Sequence, residues 1–188
     1  MEKYSEYYNI AVLPCVSPWS YECIQRWNTK ALDPNRFYIP DSPVEECAAV
    51  MNLLKRMNVS SWLMHADLHE TTDTDFTEFR PAKASRDGLQ LDGEDIPDGF
   101  YLIGSNLEPQ HEWHKAIIDS VREVTKIAQP DVNNQIVELD VVQDGVVNSN
   151  PVGKGKGAAN ALYATTTEVY PSSLVTDEEC NNAQVAAI

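Results

Sequence analysis

Basic residues are scarce in this chain of 188 residues. Lys and Arg together number 14 against 29 Asp and Glu, for a formal net charge of −15. Nucleic acids and anionic membrane surfaces both require clustered positive charge, so neither is expected as a partner. No apolar run approaches the roughly 20 residues of a bilayer-spanning helix. The opening Met1-Glu-Lys-Tyr-Ser-Glu-Tyr-Tyr8 is polar and acidic and does not read as a secretion signal. Cysteine is confined to Cys15, Cys23, Cys47 and Cys180, with no C-x-x-C spacing. Such a set reads as reduced thiols and points to the cytoplasm. Several chemical signatures are absent as well. There is no H-E-x-x-H and no H-x-x-E. The stretch Val152-Gly-Lys-Gly-Lys-Gly157 is a flexible loop that lacks phosphate-loop spacing. The acids between Asp87 and Asp98 lack the D-x-D-x-D-G order of a calcium loop and read as a solvated acidic loop.

What is present is a globular composition. Hydrophobic residues make up 43% and aromatics 9%, enough for a sizeable core within one domain over residues 1–188. Asn9–Val16 is predicted as a short buried strand ended by Ser17-Pro18. Residues 19–38 show little periodicity, and an irregular stretch of that length in a compact domain is commonly functional. Ser42-Pro43-Val44-Glu45 carries a capping box that predicts a helix to about Asn58. Ser60–Met64 reads as a buried strand running into the polar segment His65–Asp73. Residues 76–98 read as a polar excursion. Strands are predicted at 99–104, 135–142 and 160–167, with a turn at Gln143-Asp144-Gly145. Pro109–Ala128 is an amphipathic helix starting near His111 and His114. Thr176-Asp-Glu-Glu179 is a second capping box that opens a C-terminal helix. Strands alternating with helices predict an α/β fold, with a mostly parallel mixed sheet covered by helices on both faces.

The chemistry-bearing residues gather at predicted strand ends, where α/β proteins present working groups. His69 closes the apolar strand, and a neighbouring carboxylate can fix its tautomer. Glu168 ends the last strand. Arg26 and the pair Asn35-Arg36 lie in the irregular stretch after Val16. A guanidinium fork suits recognition of a carboxylate, and a second arginine can steady an oxyanion. A metal-bound water, a carboxylate base and arginines would together form a hydrolytic site.

Four motifs in this order resemble the zinc carboxypeptidase family. They are Ser17-Pro-Trp-Ser-Tyr-Glu22, then Arg26-x-Asn28-x(4)-Asp33-Pro-Asn-Arg36, then Asp67-Leu-His-Glu70, then Thr166-Thr-Glu168. The nearer likeness is to small bacterial members close to the succinylglutamate desuccinylase and aspartoacylase group. The resemblance implies a zinc cofactor with His69 as one ligand. It implies Arg26 polarising the scissile carbonyl, Asn35 and Arg36 binding a free carboxylate, and Glu168 as general base and acid. The expected activity is hydrolysis of a peptide or N-acyl amino acid next to that carboxylate. A non-catalytic carboxylate-binding relative without metal is the other expectation. The family's remaining zinc ligands lie in an H-x-x-E motif upstream of the first strand. The chain is therefore expected to correspond to the C-terminal part of a longer domain. The family's mobile tyrosine has candidates in Tyr163 and Tyr170.

Overall fold

The structure is a computed structural model that describes residues 2–72, 74–90, 97–149, 158–170 and 175–188. The elements in chain order are α1 (Glu2–Ser5), α2 (Pro18–Glu22), a 3-10 turn (Pro34–Arg36), α3 (Glu45–Met57) and β1 (Trp62–Glu70). A π-helical turn (Asp75–Phe79) then runs directly into α4 (Arg80–Asp87). The rest are β2 (Tyr101–Ser105), α5 (His111–Arg122), β3 (Gln135–Ile136), β4 (Leu139–Gln143), β5 (Val146–Ser149), β6 (Ala161–Val169) and α6 (Asp177–Ala187).

The six strands form one mixed sheet in the order β1-β6-β2-β5-β4-β3. Pairings β1–β6 and β2–β5 are parallel, and the other three are antiparallel. The expected α/β architecture is present, with parallel pairing in two of the five ladders. Side chains alternate faces along a strand, so β6 sorts its residues cleanly. Val169 joins the cluster of Leu102, Val146, Ile117, Ile118, Val121, Cys180 and Ala183, which packs α5 and α6 on one face. Thr167 points the same way, donating from its hydroxyl to Gln184 of α6 at 2.6 Å. Glu168 therefore faces the other side, as does Tyr101, its direct partner in the β6–β2 ladder. Tyr101 belongs to a second buried cluster with Ala128, Ile136 and Val147.

The local chemistry explains where elements begin and end. Helix α6 opens on the predicted capping box: Thr176 accepts from the Glu179 amide at 3.2 Å, and the Glu179 carboxylate accepts from the Thr176 amide at 2.8 Å. Helix α3 starts two residues later than the Ser42 capping box predicts. Its N-cap is Val44, and Ser42 Oγ instead accepts the Val44 amide at 3.2 Å, a turn ahead of the helix rather than a cap within it. Glu45 and Glu46 in the first turn and Lys55 and Arg56 in the last complement its dipole, and Asn58 ends it in the left-handed conformation.

Several predicted elements are corrected. Asn9–Val16 forms no strand and is largely exposed, with Ile10 at 48%, Val12 at 56% and Leu13 at 42%. An apolar run becomes a strand only where a neighbour accepts its ladder bonds, and none of the six strands pairs with it. Residues 76–87, the first part of the predicted polar excursion, are helical, in a run that starts at Asp75. Residues 91–96 of the acidic loop, and the glycine-lysine stretch 152–157, lie outside the described residues. Helix α5 ends at Arg122 rather than near Ala128, because Ile127 is drawn into a parallel bridge with Phe100. Gly99 permits that approach: a side chain there would meet Lys126 O at 2.7 Å and Ala128 N at 2.9 Å. The single strand predicted over 135–142 is a hairpin, β3–β4. Val137 and Glu138 form its two-residue turn with φ of 47° and 63°, the left-handed pair such turns require.

Candidate functional site

His69 lies within β1, one residue before its end, rather than in a loop beyond it. Alternation puts His65, Asp67 and His69 on one face of that strand. In the parallel ladder His69 is level with Glu168 of β6. The ring is held between two carboxylates: Nε2 lies 3.2 Å from Asp67 Oδ2 and Nδ1 lies 3.6 Å from Glu168 Oε1. Burial alone would favour the neutral ring, but the Asp67 hydrogen bond and the charges of Asp67 and Glu168 outweigh it and raise the His69 pKa. Glu168 is raised as well, first by burial and also by Asp67, against the opposing pull of His69, Thr71 and Arg26. Thr71 Oγ1 donates to Glu168 Oε2 at 3.3 Å. Asp67 is lowered: burial opposes ionisation, and the hydrogen bond and charge of His69 overcome it. The His65 pKa is lowered by burial, against the pull of Asp67.

The irregular stretch is ordered by side-chain bonds to backbone, and this order delivers the arginines. Asn28 Oδ1 accepts the amides of Lys30 and Leu32, while its Nδ2 donates to Glu46 of α3 at 3.1 Å. Asp33 caps the 3-10 turn by accepting the Asn35 amide at 3.0 Å. The same aspartate accepts from Arg26 Nε at 3.2 Å and stands 4.0 Å from Arg36 Nε. Arg26 also donates from Nη1 to Asp75 Oδ1 at 3.2 Å. The charge of Arg26 is felt at both His69 and Glu168, and that of Glu168 at Arg36. Arg36 has its pKa lowered, chiefly by burial.

His69 meets Glu168, Arg26 and Arg36 meet at Asp33, and the charge of Arg26 acts on both members of the first pair. Asn35 is next to Arg36, whose Nη1 donates to the Asn35 carbonyl at 3.4 Å. Tyr163 does not join them. Its ring packs on Trp113 of α5, 5.2 Å between centroids. Sequence reasoning missed Asp33, Asp67, Asp75, Arg80 and Tyr101. Asp67 was recoverable, since it sits two residues before His69 in a strand. Tyr101 is buried opposite Glu168, and burial with the Glu168 charge pushes its phenol well above the ordinary tyrosine range, so it retains its proton.

A catalytic zinc takes three protein ligands. Among the described residues no group of three or more His, Cys, Asp or Glu is arranged to hold a metal ion. His69 offers one imidazole, with both nitrogens already facing carboxylates. The residues present do not fit a complete zinc centre.

Two crystal structures share this fold. Both are of proteins provisionally described as metallopeptidases. The one from Shewanella amazonensis SB2B matches with a TM-score of 0.61 at 16% identity, over 94% of this chain and 60% of that protein. The one from Shewanella denitrificans OS217 matches with a TM-score of 0.59 at 16% identity, over 93% of this chain and 57% of that protein. The chain therefore shares the α/β fold of these two structures and spans less than two thirds of the length of either. No family model matches the sequence. No curated protein matches it either. Among the described residues no helix is long and apolar enough to cross a membrane.

Proposed function

We propose that this chain carries the carboxylate-binding and proton-transfer side of a metallopeptidase-type hydrolase site, of the carboxypeptidase kind. The observation that carries the reading is the 3.6 Å approach of His69 to Glu168, with Arg26 and Arg36 joined at Asp33 and the charge of Arg26 acting on both His69 and Glu168. In this reading Asn35 and Arg36 hold the free carboxylate of a peptide or N-acyl amino acid. Arg26, fixed by Asp33 and Asp75, faces the oxygen that becomes negative as water adds to the carbonyl. Glu168 takes the proton from that water and passes it to the leaving nitrogen, and burial suits it to both roles by raising its pKa. Carboxypeptidase and desuccinylase chemistry present the same groups to such a site. The residues present do not complete a zinc centre, so no step is assigned to zinc. The reading treats residues 1–188 as one α/β domain in the cytoplasm, in keeping with four free cysteines.

One observation favours a second reading, a carboxylate-binding relative that works without metal. His69 already faces a carboxylate at each ring nitrogen, Asp67 and Glu168, as a structural imidazolium would. A single titration followed by NMR tests the shared part of both. N-acetylglycine is expected to perturb Arg36 and its surroundings, its N-methylamide, which lacks the free carboxylate, is not, and Arg36→Gln should abolish the response. An equal response to both compounds, or none to either, defeats the carboxylate pocket. Amide hydrolysis that is lost in Glu168→Gln then separates the enzyme from the binding module.

A further inference from the structure

The π-helical turn after β1 does more than hold Arg26 through Asp75, because it builds a contact that an α-helix would not. Its closing bond runs from the Arg80 amide to the Asp75 carbonyl, five residues back. In an α-helix, residues five apart point about 140° away from each other around the axis. Here they are stacked, and Arg80 Nε donates to Asp75 Oδ2 at 2.8 Å. The other oxygen of the same carboxylate accepts from Arg26. Asp33 continues the chain, so Arg36, Asp33, Arg26, Asp75 and Arg80 alternate in sign as one connected row. Asp75 is mostly buried, its side chain 17% exposed, and Arg80 is 27% exposed. The charges of Arg80 and Asp75 both act on Tyr101, the residue paired with Glu168. The π turn follows closely on the end of β1, so the bridged pair stands beside the end of the strand that carries His69.

We propose that Asp75 is a positioning residue that holds Arg26 and Arg80 as a bridged pair, and that Arg80 is a further guanidinium contacting the ligand's carboxylate group. This rests on the carboxylate-binding reading given above. A carboxylate held between two guanidinium groups fixes the fork of each and leaves their remaining N–H donors directed outward. The arrangement favours a planar anion over diffuse positive charge, because the donors are set before the ligand arrives.

The opposite role for Asp75 has the opposite sign. Were it only a competing anion, its removal would uncover two positive charges and tighten carboxylate binding. The test uses the whole chain at low salt, with N-acetylglycine as probe and arginine Nε–H resonances as readout. Asp75→Asn keeps the shape and one acceptor while removing the charge. Asp75→Asn and Arg80→Gln are each expected to weaken the probe about tenfold, the scale of one charge-assisted hydrogen bond. The Arg26 Nε–H signal should shift in Asp75→Asn and stay in place in Arg80→Gln. Unchanged or tighter binding by Asp75→Asn overturns the positioning role, and unchanged binding by Arg80→Gln overturns the ligand contact. Should Asp75→Asn fail to fold, Arg80→Gln decides the ligand contact, and Asp75→Glu, which keeps the charge but moves it, decides the positioning role: unchanged binding and an unmoved Arg26 signal overturn it. A parent chain that ignores N-acetylglycine sinks the carboxylate pocket and this proposal together. A parent that binds, loses binding in Arg36→Gln and tolerates both other variants sinks this proposal alone.

Discussion

The His69 imidazole bridges Asp67 and Glu168, 3.2 Å from one carboxylate and 3.6 Å from the other. One ring thus ties the edge strand β1 to β6 across the level at which the two strands pair. Neither carboxylate is at ease there without it. Burial disfavours the charged form of both, and His69 is the counter-charge that each faces.

The first prediction follows from the sign of that coupling. The folded pKa of His69 lies above its ordinary value. Its contribution to stability is therefore fully present below the unfolded pKa of about 6.5 and is lost as pH rises through the folded value. His69→Ala should destabilise the chain by roughly 1–3 kcal/mol near pH 6, the scale of leaving buried charged groups unpaired. The gap should narrow by pH 9. Urea unfolding of parent and variant at both pH values measures it, and a gap that widens with pH contradicts the imidazolium bridge.

The second prediction has the opposite direction. His114, 2% exposed, is packed against Gly104 under α5, and burial lowers its pKa to about 4, with His111 adding to the shift. The unfolded chain takes up a proton near pH 6.5 and the folded chain only near 4. Stability from this residue is complete above the unfolded pKa and drains away as pH falls toward the folded one. The loss is on the order of 2–3 kcal/mol across that window. His114→Leu should flatten the acid arm of the stability profile, measured as the urea midpoint between pH 7 and pH 4. An unchanged acid arm means the ring is not the group that titrates.

How far the sequence reveals this arrangement depends on the kind of signal. His69 and Glu168 were legible because each ends a β-prone run, and parallel pairing then brings such ends level. The capping box at Thr176 was legible because it is local chemistry. The one at Ser42 misled, since the same hydroxyl serves a turn as readily as a helix start. The hairpin at Val137-Glu138 was hidden because neither residue advertises a left-handed turn. Asp75 and Arg80 were hidden for a stronger reason. Their contact depends on a π turn, and at α-helical spacing they would point apart. The strand expected over Asn9–Val16 failed because apolar pattern reports a preference for burial, while a strand also needs a partner edge.

Zinc supplies the third prediction. With one imidazole engaged by two carboxylates and no trio of ligands among the described residues, this chain should retain well under one equivalent of zinc after dialysis. Metal analysis by mass spectrometry reads this directly. Tight stoichiometric zinc that survives His69→Ala would mean that the metal is held elsewhere and that His69 is not its ligand.

The last prediction concerns Glu168, whose contact with His69 makes its role testable before any substrate is known. Glu168→Gln keeps the size of the side chain and an oxygen that can accept from Thr71 Oγ1, so the fold should survive. It removes the negative charge that faces Nδ1 of His69. That charge is one of the influences that raise the His69 pKa, so in the variant His69 should titrate at lower pH than in the parent. The Asp67 hydrogen bond should keep the shift partial. Ring NMR signals of His69 followed through a pH titration give the answer. If the pKa of His69 does not move, the two groups are uncoupled in solution, and the His69–Glu168 approach that carries the functional reading falls. If it falls, the same variant can be carried to hydrolysis assays. A general acid–base role then calls for a rate loss of roughly 100-fold or more, with binding of N-acetylglycine largely retained because Arg36 and Arg26 are untouched. Loss of both the rate and the binding would instead place Glu168 among the groups that hold the arginines in position.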